Sequence, residues 1–244
     1  MAVFITCLVA IVVLIAYQAF VLIVKNYSRH HFKRENVLFV TAHPDDECMF
    51  FSPTILTVDK AFLTCLSSGN YYNLGEERRK ELLASCRILG ISDQNVAIID
   101  NSHLKDDPNA TWDEDIISAI ILAKIQKHRI NVVVTFDDYG VSGHKNHTSV
   151  YKALRQLVTK KQLPTGVQAY CLESIPLWRK YLLQLDLPIS CLLPQGLLFV
   201  SSWQGVWQAQ KAMYAHWSQF VWFRVLYIIF SRYMVINTLK PIRA

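Results

Sequence analysis

The sequence has little of what defines several large protein classes. Only 18% of its 244 residues are charged and 52% are apolar, which excludes disorder as the dominant state. Eight glycines and eight prolines are too few for a collagen-like or low-complexity chain. The six cysteines show no CxxC or zinc-finger spacing and are too sparse for a small disulfide scaffold, so we expect reduced, mostly buried thiols. No GxGxxG, P-loop or nucleophile-elbow motif is present.

The N-terminus, by contrast, is rich in apolar residues, and Ala2 to Val24 carries no charge. As a helix this stretch would span roughly 35 Å, enough for a hydrocarbon core of about 30 Å. No basic residue precedes it, whereas residues 25–35 form a basic segment with Lys25, Arg29, Lys33 and Arg34. The positive-inside rule therefore predicts a single anchor, residues 1–24, with the rest of the chain in the cytosol.

Two other interpretations of the apolar stretch fit less well. A cleaved signal peptide needs a basic n-region, a shorter apolar core and a small-residue cleavage site, and this chain offers none of the three clearly. A buried core helix would not need so long a charge-free run at the very N-terminus. The net charge of +6 is modest, and the basic segment beside the anchor is explained by topology and anionic lipid, so no nucleic-acid partner is expected.

After residue 36, short apolar runs alternate with helical patterns, and no internal repeat is present. This alternation predicts one Rossmann-like α/β domain, residues 36–216, with a mostly parallel sheet flanked by helices. The predicted strands are Val37–Ala42, Ala61–Leu66, Val96–Ile99, Val132–Phe136, Val167–Leu172 and Leu197–Val200. The predicted helices are Glu76–Leu89 ended by Gly90, Trp112–His128 capped by Thr111, His147–Lys160, and Trp203–Trp217.

Polar clusters follow three of these strands. They occupy residues 43–47, residues 100–107 and residues 137–147. Ligands of such sheets bind beyond the carboxyl ends of the strands, so we expect the three clusters to meet at one edge. Histidine nitrogen with carboxylate oxygen suits a metal such as Zn²⁺, and two histidines with one carboxylate leave a coordination position open. Singly, each cluster could be a helix cap, a surface salt bridge or a turn, but their conjunction favours a catalytic metal site.

Two motifs within these clusters resemble a known family. Ala42-His43-Pro44-Asp45-Asp46-Glu47 and Gly143-His144-Lys145-Asn146-His147 are similar to the signatures of the zinc-dependent de-N-acetylases of N-acetylglucosamine conjugates. Residues 69–76, Arg78, Glu81, Asp100-Asn101 and residues 141–144 look like the eukaryotic branch of glycosylphosphatidylinositol (GPI) anchor synthesis. The resemblance covers about residues 36–200. It implies an endoplasmic reticulum membrane protein that hydrolyses the acetamide of N-acetylglucosaminylphosphatidylinositol.

The resemblance also implies a role for individual residues. His43, Asp46 and His147 would hold the zinc ion, and Asp45 would be the general base. His144 would stabilise the oxyanion or protonate the leaving amine. Arg78 and Asp100 would bind the polar substrate. The chain departs from the bacterial members, which usually carry Asp at the position of Asn146, so Asn146 is not expected to be a charged partner of His144.

The last segment, residues 217–244, is rich in aromatic and aliphatic side chains. On a helix, Arg224 and Arg232 would lie roughly 80° apart, so one polar face could hold both. An amphipathic element at the membrane interface and a segment packed on the sheet both fit this pattern. A second membrane span is disfavoured because Arg224 interrupts the apolar run.

Two rival functions share the predicted site. A zinc deacetylase of another N-acetyl sugar conjugate would use the same residues but would not need a membrane anchor. A membrane-tethered binding module with a vestigial metal site would need no base, so the presence of Asp45 beside the complete ligand set argues against it. The sequence does not determine the acyl-chain preference, the oligomeric state or any protein partner.

Overall fold

A single mixed sheet organises the chain in the computed structural model, which describes residues 1–28, 30–107, 110–193 and 196–244. Within these ranges the strands are β1 (Asn36–Thr41), β2 (Lys60–Cys65), β3 (Val96–Ile98), β4 (Val132–Phe136), β5 (Gln168–Leu172), β6 (Leu197–Val200) and β7 (Ile236–Pro241). Their order across the sheet is β3-β2-β1-β4-β5-β7-β6. The first five strands in this order are parallel, and β7 is antiparallel to both of its neighbours. The expected α/β fold is confirmed.

Helices cover both faces of the sheet. They are α1 (Ala2–Ser28), α2 (Asp46–Phe50), α3 (Ser52–Ile55), α4 (Gly75–Ile88), α5 (Glu114–His128), α6 (Gly140–Gly143), α7 (Lys145–Thr159), α8 (Leu177–Lys180), α9 (Leu187–Leu192), α10 (Trp203–Ala215) and α11 (Trp222–Phe230). Short 3₁₀ turns lie at Asn70–Tyr72, Asp93–Asn95, Leu183–Asp186, Trp217–Gln219 and Arg232–Met234. Helix α4 packs against α10, and α5 packs against α7. Covered on both faces, β1 and β4 can be almost wholly apolar.

The chain reverses its order of strands at the centre of the sheet. Strand β1 pairs with β2 on one side, with Val40 opposite Thr64, and with β4 on the other, with Leu38 opposite Val133. The connection after β1 therefore leads to one side of the sheet and the connection after β4 to the other. The crevice between them is where ligands bind in open α/β sheets.

The start of α5 differs from the prediction. Asp113 caps this helix, because its Oδ1 accepts hydrogen bonds from the backbone N–H of Asp115 at 2.9 Å and of Ile116 at 3.4 Å. The expectation that Thr111 is the cap and Trp112 the first helical residue is wrong. Trp112 is buried instead, since it packs beside His43 with ring centroids 5.9 Å apart.

The N-terminal segment reaches the domain through aromatic contacts. By length and composition, Phe4–Ser28 is the one helix of the described ranges that could cross a membrane. Val21 near its end is buried, and Phe32 packs on the rings of Tyr170 and Phe199 at 5.2 and 5.3 Å. Phe32 thus lies against the sheet, while Arg29 of the predicted basic segment lies outside the described residues.

The C-terminal segment joins the sheet, which is close to one of the two predicted alternatives, but a strand within the sheet was not predicted. Strand β7 pairs with β5 and β6 and is therefore an inner strand of the sheet. Arg232 is fully buried outside α11 and pairs with the buried Asp186, which also accepts a 2.7 Å hydrogen bond from Nε of Arg179. The expectation that Arg224 and Arg232 share a polar helical face is therefore wrong, because a buried carboxylate holds Arg232.

Candidate active site

The motif after β1 forms a tight turn that aims three polar side chains at the crevice. Asp45 has φ 120°, a conformation that is strained for any residue but glycine, and helix α2 begins at the next residue. This turn brings Oδ2 of Asp46 back onto the strand, where it accepts hydrogen bonds from the backbone N–H of Ala42 at 2.9 Å and His43 at 2.8 Å. One oxygen of Asp46 is thus fixed by the backbone and the other remains directed at the site.

The loop after β4 orients His147 in a similar way. Gly140 has φ +64°, and a Cβ there would lie 2.7 Å from Cβ of His147, so only glycine allows this close approach. The carbonyl oxygen of Gly140 accepts a 3.0 Å hydrogen bond from Nδ1 of His147. Because a carbonyl can only accept, Nδ1 carries the proton and Nε2 keeps its lone pair for a metal ion.

Three imidazoles converge between these two loops. The ring centroids of His43 and His144 are 4.8 Å apart, those of His144 and His147 4.8 Å, and those of His43 and His147 5.3 Å. One ligand atom from each lies within 4.8 Å of the others. The expected meeting of the first and third polar clusters is therefore confirmed.

The donor set fits a metal ion. Within the described residues, Nε2 of His43 and Nε2 of His147 are buried without an aligned hydrogen bond. Nε2 of His147 lies 3.2 Å from Oδ1 of Asp46. Two ligands of a tetrahedral zinc ion at about 2.0–2.1 Å stand about 3.3 Å apart, so this spacing suits two ligands of one ion. Two buried nitrogens beside a carboxylate are the chemistry of a cation site.

The charges of these groups depend on one another. Burial acts to raise the pKa of Asp46, but His147, His43 and the backbone N–H donors outweigh it and hold the pKa well below its usual range. Burial acts to lower the pKa of His43, yet contact with Asp106 and the charge of Asp46 leave it raised. Burial and the two neighbouring histidines lower the pKa of His144 to about 4. Asp46 is thus an anion and His144 a neutral imidazole at neutral pH.

Asn146 fixes the remaining ring nitrogen of His144. In the amide orientation that gives partners to both ends of this fully buried side chain, its nitrogen donates to Nδ1 of His144 at 3.2 Å and to the carbonyl oxygen of Asp107 at 3.1 Å. Its oxygen accepts a 2.7 Å hydrogen bond from Nε1 of Trp112. Nδ1 of His144 is therefore an acceptor, so the proton of the neutral ring is on Nε2.

Asp106 and Arg78 form the part of the cavity wall next to His43. Oδ1 of Asp106 lies 3.2 Å from Nε2 of His43, and its Oδ2 lies 3.3 Å from Arg78. The guanidinium of Arg78 also donates to the carbonyl oxygens of Gly69 at 2.8 Å and Pro44 at 3.0 Å. The sequence patterns placed Asp106 in a polar cluster but gave it no role. Its position a few residues beyond β3 was the available signal.

Asp45 faces a residue from the far end of the chain. Its Oδ2 pairs with Nη1 of Arg224, which lies on α11. Both side chains line a cavity of about 320 Å³ together with His43, Asp46, Met49, Phe50, Tyr71, Tyr72, Arg78, Asp106, Ser142, His144 and His147. Asp100, predicted to bind substrate, lies outside this lining. It pairs with Arg79 at 2.8 Å and borders the neighbouring cavity that Tyr71 and Asp106 also line.

Glu47, the last acidic residue of the first motif, points away from the cavity. Glu47 and His216 are both fully buried, and Nε2 of His216 lies 2.8 Å from Oε1 of Glu47. Its other oxygen accepts a 3.0 Å hydrogen bond from the backbone N–H of Asp45. Burial acts to raise the pKa of Glu47, but His216 and Ser85 outweigh it and lower it. Glu47 thus supports the strained turn rather than the chemistry.

Comparison with known proteins agrees with this geometry. The family model described as "PIG-L: GlcNAc-PI de-N-acetylase" matches residues 38–158, which include both motifs. A relative from Bos taurus, named N-acetylglucosaminyl-phosphatidylinositol de-N-acetylase, is 52% identical over 207 residues, covering 83% of this chain and 82% of the relative. The chain belongs to the GlcNAc-PI de-N-acetylase family.

Solved structures share the fold at low sequence identity. The N,N'-diacetylchitobiose deacetylase of Pyrococcus horikoshii has a TM-score of 0.60 and 16% identity, covering 92% of this chain and 91% of that one. GalB of Pseudomonas putida KT2440, a 4-carboxy-2-hydroxymuconate hydratase, has a TM-score of 0.58 and 15% identity, covering 86% and 97%. These two enzymes differ in reaction, so their likeness supports the fold alone.

Proposed function

We propose that this protein hydrolyses the acetamide of N-acetylglucosaminylphosphatidylinositol, giving glucosaminylphosphatidylinositol and acetate in GPI-anchor synthesis. The observation that carries the proposal is the 52% identity to the bovine enzyme of that name over most of both chains. The histidine and carboxylate cluster at the crevice supplies the chemistry that amide hydrolysis needs. A cavity of about 320 Å³ suits the sugar end of a glycolipid.

His43, Asp46 and His147 would hold a zinc ion. The two buried Nε2 atoms and the 3.2 Å spacing to Asp46 support this assignment. A bound zinc ion supplies a Lewis acid that polarises the acetamide carbonyl and makes water more acidic. The hydrogen bond of Nδ1 of His147 to Gly140 keeps the ligating nitrogen directed at the ion.

Asp45 and His144 would carry the proton transfers. Asp45 takes a proton from the attacking water, a role open to it because the backbone and His147 engage Asp46 instead. His144 donates a hydrogen bond from Nε2 to the tetrahedral oxyanion, which fits the acceptor state that Asn146 gives its Nδ1. Arg78 would border the bound sugar, and Asp100 would contact polar substrate groups only from the neighbouring cavity.

The protein would sit in the endoplasmic reticulum membrane with its catalytic domain in the cytosol. Helix α1 supplies the span, and Lys25, Lys33 and Arg34 near its C-terminal end favour a cytosolic position for the domain beyond it. The described cysteines are all unpaired, as a reducing compartment would keep them.

Helix α11 would rest on the membrane surface. Its outer side exposes Trp222, Phe223, Leu226, Ile229 and Phe230, whereas Tyr227 and Ile228 face the domain. A soluble surface rarely presents so many large apolar side chains on one short helix. In a chain tethered by α1, a lipid interface is a fitting cover for them.

The deciding experiment measures acetate release by the purified full-length protein from the glycolipid and from a soluble N-acetylglucosamine derivative. Each assay is run with a chelator and again with zinc restored. We expect chelator-sensitive turnover of the glycolipid. Turnover of the soluble sugar alone would indicate a deacetylase of another conjugate. Bound metal without turnover of either would indicate a tethered binding module.

A further inference from the structure

Arg224 is a cation in the catalytic cavity that the proposed reaction does not use. It projects from α11 towards Asp45, and its side chain is only 20% exposed. The backbone of α11 is held close by, because the hydroxyl of Tyr227 donates a 3.0 Å hydrogen bond to the carbonyl oxygen of Met49, a residue of the cavity wall. The guanidinium is therefore delivered to the cavity by the helix with the exposed apolar side.

The two guanidinium groups of the cavity differ in how firmly they are held. Arg78 donates to two backbone carbonyls and contacts Asp106, and a Cβ on Gly69 would lie 2.4 Å from its Cζ. Arg78 therefore has little freedom to turn towards a substrate. For Arg224, Asp45 is the one ion-pair partner within the described ranges. Its long side chain can exchange this partner for another anion in the same space.

That single partner is the residue assigned as general base. The guanidinium occupies Oδ2 of Asp45, so this oxygen has no room to accept a proton from water until Arg224 has moved to another anion. An anion carried by the substrate would make this exchange coincide with binding.

The charge of the cavity indicates which anion fits. Three carboxylates and two guanidinium groups line it, which gives one net negative charge when the histidines are neutral, as they must be to bind a metal ion. A divalent ion at the histidine cluster changes this to one net positive charge. A phosphodiester carries a single negative charge, and its oxygens match the planar donors of arginine. In a membrane lipid the phosphodiester lies at headgroup depth, where the apolar side of α11 would place Arg224.

We propose that Arg224 determines specificity by binding the phosphodiester of the glycolipid. The inference rests on the proposed function, because it needs a phosphoinositide as the substrate. It assigns to Arg224 the recognition of the part of the substrate that a simple N-acetyl sugar lacks. The residue would therefore separate a glycolipid deacetylase from a general sugar deacetylase.

The test compares two soluble glycosides: an N-acetylglucosaminyl inositol with a glycerophosphodiester, and the same glycoside without phosphate. Full-length wild type, Arg224→Gln, Arg224→Lys and the surface control Arg155→Gln are assayed on both. We expect Arg224→Gln to lower kcat/KM for the phosphodiester roughly 10- to 150-fold, mainly through KM. The loss should be much larger for the phosphodiester than for the phosphate-free glycoside, and Arg224→Lys should recover part of it.

A binding measurement gives an independent readout. Titration calorimetry measures the affinity of the metal-loaded protein for the deacetylated glycoside that carries the phosphodiester and for the one that lacks it. We expect the phosphodiester to tighten binding to wild type and Arg155→Gln but not to Arg224→Gln. Inorganic phosphate at the same concentration should not displace it, because the site takes the phosphate of the headgroup. Displacement by free phosphate would indicate a general anion site and overturn the proposal.

The kinetic outcomes separate the inference from the function on which it rests. Equal losses on both glycosides would show that Arg224 does not recognise the phosphodiester, and no loss on either would show that it has no role. Either result overturns the inference while leaving the deacetylase in place. Failure of wild type to deacetylate either glycoside, or the glycolipid in vesicles, would instead overturn the proposed function.

Discussion

Neutralising Asp45 and Asp46 one at a time should separate catalysis from metal binding. The carboxylate of Asp45 forms its ion pair with Arg224 rather than with any of the three histidines. Asp45→Asn removes the base but leaves the donors of the metal site in place. A general base contributes about 10²- to 10⁴-fold, so we expect turnover to fall by that factor, about 3–5 kcal/mol in activation free energy. Metal content should stay at the wild-type value.

The Asp46→Asn variant should behave in the opposite way. Oδ2 of Asp46 accepts two backbone hydrogen bonds, and its Oδ1 lies 3.2 Å from Nε2 of His147. Loss of a residue that hydrogen-bonds to a metal ligand typically weakens metal affinity roughly 10- to 100-fold. Loss of the anionic ligand itself should weaken it by more.

The assay pairs elemental analysis of dialysed full-length protein with initial rates of acetate release. The surface variant Asp138→Asn is the matched control for loss of one carboxylate near the same loops. Equal metal loss from Asp45→Asn and Asp46→Asn would refute the division of roles. So would full turnover by Asp45→Asn.

Three further changes test the fold, the membrane contact and the proton position. Asp186→Asn leaves two buried arginines without a charged partner, which costs about 3–5 kcal/mol, so Tm should fall by about 6–20 °C. The control Asp93→Asn removes an exposed carboxylate and should leave Tm nearly unchanged. Folding lowers the pKa of Asp186, so its ionised carboxylate stabilises the folded protein fully above the unfolded pKa of 3.8. This stability is lost as the pH falls through the lower pKa of the folded state. The Tm values of wild type and Asp186→Asn should therefore converge in acid. Brominated lipid should quench wild-type fluorescence more than that of Trp222→Phe; equal quenching would remove α11 from the bilayer. Asn146→Asp should raise the pKa of His144 from about 4, seen by NMR, because a carboxylate accepts from Nδ1 instead of donating.

The parts of the site that were predictable from the sequence are those fixed by local patterns. The apolar runs that end just before His43 and Asp137 predicted β1, β4 and the polar loops after them, and the structure places both strands there. In a parallel sheet, strand ends share one edge, so the meeting of His43 with His144 and His147 followed from topology alone. The alternation of apolar and helical segments, with the rule that ligands bind beyond the strand ends, was sufficient to predict these strands and the meeting of the histidines.

Contacts that join distant segments were not predictable in this way. Asp45 and Arg224 are 179 residues apart, and nothing in the composition of residues 217–244 indicates which carboxylate Arg224 meets. Strand β7 contains Lys240 and ends at Pro241, so its sequence is not typical of an inner strand. Its antiparallel place between β5 and β6 is decided by which edge the returning chain can reach. The signal that was available was a lone arginine in an otherwise apolar helix.

The position of β7 explains how α11 can expose an apolar side and still keep Arg224 in a fixed place at the cavity. Because β7 pairs on both edges, the sheet fixes the end of α11, and the buried Asp186–Arg232 pair fixes the turn between them. At the other end, Ser218 donates to Glu81 of α4 through its backbone N–H at 2.6 Å and its hydroxyl at 2.7 Å. Helix α11 is thus anchored on both sides while its apolar face remains uncovered. A helix held in this way can carry Arg224 to the cavity and meet lipid without distorting the metal-binding loops.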